Sequence, residues 1–372
     1  MRKLGVLNPN RLDQLVVLMA DRGWDVMILY GHSWRKEFFR CLLNMNFQGP
    51  HAAVALSRSG ELSALMSDPW DYECVAASLD ARVVMEAEFE RGLIQLLLGS
   101  RNSTVAIAGM ELMEARFVEA IREFAGRDPC SASLDVEELR RVKTPEEIAL
   151  LRKACELGDR GYQYFTEVIQ VGMKEYELVA EVEAFLKSSG SEDNFMLVAS
   201  GGTEVVGMKP PTERRFQMGD SVTTELSPQV GGYYAQICRT LVLGEPNAGQ
   251  RQAYEIFSEA QKAGQDLLKP GVDISDVARV QNDVFRKYGY GEYTGPKYTR
   301  VRGHSLGLYL DENPHVLEDV HYIVKEGMVL IAHPNTYLPL SGYMVFGDTL
   351  LVTSNGCSSL NRTERKLFQK EG

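Results

Sequence analysis

The residues best equipped for chemistry lie in four stretches of the second half of the chain: GDSVTTELSPQVGGYYAQICRTLVLG (219–244), GHSLGLYLDENP (303–314), GMVLIAHPNTYLP (327–339) and GDTLLVTSNG (347–356). Between them they carry Glu225, Tyr234, Gln236, Arg239, His304, Asp311, Glu312 and His333. An imidazole titrates near neutral pH and can shuttle a proton. The carboxylates can hold the cationic end of a substrate or polarise a water, and the Gln236 amide can hydrogen-bond an amide or amidine. Carboxylates and histidines gathered in one cleft push each other's pKa values apart, which yields one acid and one base. Glu225, His304 and His333 could instead hold a single Zn2+, Fe2+ or Mn2+ ion. Cys238 has no helix N-terminus or evident base beside it, so a covalent thiol mechanism is not expected.

In order and spacing these stretches resemble the C-terminal domain of the pita-bread (M24) family, which includes prolidase, aminopeptidase P, methionine aminopeptidase and creatinase. The resemblance is specific over 195–360 and loose before 140. It implies a site in which Asp, Asp, His, Glu and Glu hold two divalent ions, whose bridging hydroxide attacks a peptide carbonyl. Carried across motif by motif, those positions fall on Glu225 (TTELSP), Gln236 (QICRT), His304 (GHSLGL), His333 (AHPN) and Gly347 (FGDT). Gln236 and Gly347 replace carboxylates that would bridge the ions, so two dications would repel each other across one remaining carboxylate. The family's substrate-positioning histidine falls on Met208. The histidine of its HExP element falls on Asp311, with Glu312 and Pro314 retained.

These departures make creatinase and ectoine hydrolase the members closest in character. The function they imply is metal-independent hydrolysis of a non-peptide C–N bond (amide, amidine or ureido) in a small, cationic, amino-acid-like compound. No cofactor is expected. His304, His333, Glu225 and Glu312 are the expected catalytic residues; Gln236, Asp311, Tyr234, Arg239 and Arg35 are expected to bind substrate. Arg35 belongs to the loop YGHSWRKEFFR (30–40), which in creatinase-like homodimers would reach the neighbouring subunit's site. The alternatives are a hydrolase or lyase with one metal at Glu225, His304 and His333, a residual Xaa-Pro peptidase, and a non-catalytic binding protein.

The elements that must position these residues follow from periodicity. In RLDQLVVLMADRG, Leu12, Leu15, Val16 and Met19 share a helical face, and Gly23 ends the helix. Apolar runs such as WDVMILYG, ARVVMEA and STVAIAGM alternate with helical segments, predicting an N-terminal α/β domain with a mixed sheet. Thr144, Pro145 and Glu147 form an N-cap, first-turn proline and capping box, opening a helix with Ile148, Leu151 and Cys155 on its apolar stripe. Helices alternating with antiparallel hairpins then predict an α+β pita-bread domain. The domains are placed at 1–138 and 139–372.

Bulk properties narrow the partners to a small-molecule substrate. With 372 residues the chain can bury two cores, and its 44% hydrophobic and 24% charged content is that of a globular protein. A net charge of −11 argues against nucleic acid and against an anionic membrane surface. Six scattered cysteines without a CxxC pair predict reduced thiols and a cytoplasmic location. The N-terminus has charges within its apolar stretch and does not read as a signal peptide. No apolar run approaches the roughly 20 residues that a membrane helix needs.

Overall fold

A computed structural model describes residues 7–371, so the first six residues of the segment read above as no signal peptide lie outside it. The chain divides into two compact units, one ending at Arg140 and the other starting at Arg141. Among the described residues, no helix is long and apolar enough to cross a membrane.

The first unit opens with the helix Pro9–Arg22, capped by the Asn8 side chain and closed by Gly23 at φ 71°. A left-handed φ costs glycine nothing, which is why the helix stops there. The six strands of its sheet lie in the order Arg82–Met85, Leu62–Met66, His51–Ser57, Val26–His32, Val105–Ala108, Cys130–Ser131. The inner pairings around His51–Ser57 are antiparallel and the outer ones parallel, so the sheet is mixed. Ile28, Leu65 and Ile107 pack on Phe89, Leu93, Phe117 and Ile121 to form its core.

The second unit is α+β. Its helix Pro145–Val168 begins at Thr144, whose hydroxyl accepts from the Glu147 amide while the Glu147 carboxylate accepts from the Thr144 amide. Two of the orphan donors of the first turn are thereby satisfied, and Pro145 has none to satisfy. Leu151, Ala154, Cys155, Leu157 and Phe165 are buried along this helix. At Gly161 an added Cβ would lie 2.8 Å from Leu186 and 3.0 Å from Leu226, so the helix comes this close only because the side chain is missing.

The large sheet carries the site. Its main path runs Glu312–His315, Gly303–Ser305, Val329–Ala332, Gly347–Thr353, Ile237–Leu243, Ser221–Val230, Asn194–Gly201. Neighbours on this path pair antiparallel. A two-stranded ribbon, Thr336–Leu338 with Gly342–Met344, follows the His333 segment. The register sets Cys238 opposite Glu225 on one side and Gly347 on the other. Directly opposed residues point to the same face of a sheet, so these three form one row.

Replacing Thr144 by alanine removes one half of the capping box. We expect a loss of about 1 kcal/mol, read as a lower urea midpoint with an unchanged slope; an unaltered midpoint would show that the cap does not hold this helix.

Candidate active site

That register sets Glu225 and Gln236 on one face, Gly347 of the same row lies against His333, and His333 faces His304. Gln236 lies two residues before Cys238, so it shares a face with Glu225, and its Nε2 donates to Glu225 Oε2 at 3.2 Å. Asn335 Nδ2 donates to Glu225 Oε1 at 2.7 Å from the opposite side. Two neutral amides thus clamp one carboxylate that is only 9% exposed. Burial pushes the Glu225 carboxyl up to about 7, a shift that the Asn335 hydrogen bond opposes and the Asp311 charge reinforces.

His304 and His333 face each other with ring centroids 5.3 Å apart and planes at 67°. The Nδ1 of His304 lies 2.9 Å from the Ser305 carbonyl, which can only accept. Nδ1 therefore carries the proton and Nε2 keeps its lone pair. Among the described residues, both ring nitrogens of His333 are buried without a hydrogen-bond partner. Burial lowers His304 and takes His333 down to about 3, helped by the neighbouring His304. The expectation that an imidazole here titrates near working pH is therefore corrected. Desolvation keeps both rings neutral, the form that accepts a proton or a cation.

Around this centre, several expected residues have other partners. Arg239 is buried and donates to the Cys238, Gly347 and Thr363 carbonyls and to Asp348 Oδ1 at 2.7 Å. It ties strands together instead of binding substrate, because every one of those acceptors belongs to the fold. Glu312 pairs with Lys143 at 3.0 Å through Oε2 and accepts from the Tyr309 amide through Oε1, so it anchors its turn. Asp311 accepts from His315 at 2.8 Å and lies 3.7 Å from His304 Nδ1. That hydrogen bond holds Asp311 below the usual carboxylate range and raises His315. The Tyr234 hydroxyl donates to Asp193. Arg35 belongs to the first unit, where its Nε donates to Glu37 at 2.7 Å. Burial beside Glu225 keeps the Cys238 thiol protonated, in keeping with no covalent role.

Two residues of the centre escaped the sequence reading. Asn335, the second clamp on Glu225, follows His333-Pro334 directly, and an amide beside a candidate ligand was the available signal. Arg302 has no exposed surface and fixes the loop that carries both. Its Nη1 donates to the Asn335 carbonyl at 2.9 Å, its Nε donates to Asn282, and its carbonyl accepts from the His333 amide.

The residues present do not fit a two-ion centre. Among the described residues no group of three or more His, Cys, Asp or Glu is disposed to hold a metal. Gln236 offers no charge. A Cβ at position 347 would lie 2.6 Å from His333 Cβ and 2.7 Å from the Ala332 carbonyl, so no side chain can be added there without moving backbone. Gly347→Ala is accordingly expected to cost about 2 kcal/mol through overpacking, measured by chemical denaturation; a neutral result would show that the two strands separate easily.

The sequence matches the metallopeptidase family M24 over residues 149–354. It is 35% identical to the Xaa-Pro dipeptidase of Pyrococcus furiosus over 63% of this chain and 66% of that protein, just short of two thirds of its length. Identity to the Xaa-Pro dipeptidase of Pyrococcus horikoshii is 34%, over 68% of this chain and 72% of that one. The crystal structure of the prolidase from Pyrococcus horikoshii superposes with a TM-score of 0.83 at 25% identity, covering 96% of this chain and 99% of that one. These matches overturn two expectations. Relatives named dipeptidase and prolidase do not support a creatinase-like attack on a non-peptide C–N bond. A family of metallopeptidases likewise does not support a reaction that needs no cofactor. Since the match spans more than half of its 372 residues, the chain belongs to the metallopeptidase family M24.

Proposed function

We propose that this protein is a hydrolase of small peptides of the Xaa-Pro type. The observation that carries the proposal is the buried centre itself. Glu225, Gln236, His304 and His333 stand together in the M24 frame, and unpaired polar atoms are left among them. The Pyrococcus relatives named Xaa-Pro dipeptidase supply the substrate class.

In this reading His304 Nε2, held in place through the Ser305 carbonyl, takes the proton of the attacking water. The water oxygen forms the new bond to the scissile carbonyl carbon, the C–N bond breaks, and the proton passes to the departing proline nitrogen. Glu225 faces the amino end of the peptide. Asp311 and Glu312 act as positioning residues, through His315 and His304 in one case and through Lys143 in the other. A cytoplasmic homodimer completes the proposal. All six cysteines are free, which suits a reducing compartment, and sedimentation at twice the 41.6 kDa chain mass would support the dimer while a monomer would sink it.

The test is release of proline from a panel of Xaa-Pro dipeptides, with Mn2+ or Co2+ supplied and with chelator. Turnover that falls at least about 100-fold in His304→Ala, with the fold retained by circular dichroism, is the expected result. Absence of proline release under every metal condition would overturn the peptidase reading.

A further inference from the structure

A cavity of about 210 Å3 lies along Asn194–Gly201, the last strand of the large sheet. Val198, Ser200, Glu204, Val205, Val206 and Lys209 line it. The register separates it from the candidate active site. Leu197 stands opposite Glu225, so Val198 and Ser200 point to the other face, where Val198 clusters with Leu178, Val182 and Leu186. Lys209 bridges to Val198 as its antiparallel partner and projects to that same face.

Most charged groups of the cavity already have partners within the fold. Arg214 donates to Asp220 through both terminal nitrogens, at 2.5 and 2.9 Å. The buried Glu175 carboxylate accepts from the Ser200 and Thr212 hydroxyls, each at 2.6 Å. Two opposite charges are left over. Among the described residues, Lys209 and Glu204 form no ion pair, with each other or with any other group. The loop is nevertheless shaped to hold the Glu204 carboxylate in place. Its Oε1 accepts from the Gly202 amide at 2.9 Å. A Cβ at Gly201 would collide with that oxygen, and one at Gly202 would lie 3.2 Å from the other. The Gly202 amide, with a smaller pull from Arg214, holds Glu204 below the usual carboxylate range and therefore ionised. The Tyr343 amide donates to the Val205 carbonyl at 2.8 Å and pins the loop to the rest of the unit.

A fixed carboxylate and an unpaired ammonium beside a wall of valines match a ligand that carries both charges itself. The volume is below the roughly 300–1,000 Å3 of a drug-sized ligand's pocket, so the occupant is small. We infer that this cavity binds a free α-amino acid with a small aliphatic side chain. Its carboxylate pairs with Lys209, its ammonium with Glu204, and its side chain lies on Val198, Val205 and Val206. A metal ion would face Lys209 and a simple anion would face Glu204, so charge opposes both. The inference goes beyond the peptidase reading and is measured by binding, so turnover does not decide it.

The full-length protein would be titrated calorimetrically with L-valine, with N-acetyl-L-valine, which lacks the ammonium, and with L-valinamide, which lacks the carboxylate. We expect one valine per chain and at least about tenfold weaker binding of each derivative, since each loses one charge-assisted contact. Lys209→Ala should weaken valine by a similar factor and abolish its advantage over valinamide. Glu204→Gln should likewise weaken valine and abolish its advantage over N-acetylvaline. Glu225→Gln, in the candidate active site, should leave valine binding unchanged. No valine binding, a derivative that binds as tightly as valine, or unchanged valine affinity in either cavity variant would overturn the inference. Loss of valine binding in a folded Glu225→Gln would also overturn it, by moving the ligand to the other site. If Glu204→Gln or Glu225→Gln fails to fold, the two derivatives and Lys209→Ala, at an exposed position, decide.

Discussion

The antiparallel register that places Cys238 between Glu225 and Gly347 is the constraint on which the centre depends. One residue along each strand, Arg239 and Asp348 project to the opposite face and join there in a buried ion pair. Arg365 also reaches Asp348, so its carboxylate is held from two sides. A slip of one residue would exchange the faces of a strand. It would carry this ion pair toward the site and Glu225 toward the hydrophobic layer beneath. Breaking such a pair from one side costs about 3–5 kcal/mol, so the lock beneath the site makes the register above it dependable.

The electrostatics of the centre follow from replacing charged groups by neutral ones of similar reach. An amide offers an oxygen as a carboxylate does, but it also carries a donor end that must be placed. Here both donor ends are placed on Glu225. The arrangement is self-consistent only because one carboxylate survives to accept them. Arg302 then acts at one remove: burial and its bonds to the Asn335 carbonyl and Asn282 make it a rigid strut for the loop instead of a counter-ion.

Much of this organisation was legible in the sequence because it is local. The cap at Thr144, the helix stop at Gly23 and the motif flanks of Glu225, His304 and His333 are short-range patterns, and the α+β class follows from their alternation. What was not legible depends on burial and on distant partners. The histidines were expected to titrate near neutrality, yet desolvation, a property of the folded unit, lowers both. Arg239 reads as a candidate for substrate only until Thr363 and Asp348 are brought to it. Asn335 has no periodic signal, since its role comes from a turn that Arg302 fixes across 33 residues of sequence. The creatinase-like function rests on single-residue departures, and these do not outweigh a continuous match to a metallopeptidase family over 149–354.

The close approach at Gly347 bears on what can be exchanged in this centre. Its missing side chain is hemmed in by a backbone carbonyl and by the Cβ of residue 333, atoms that every non-glycine residue at 333 would share. Exchanging His333 for a smaller polar residue therefore does not reopen the position. A side chain at 347 would need these backbone segments to part, so the closed space beside Gly347 is set by main chain and not by the identity of its neighbour.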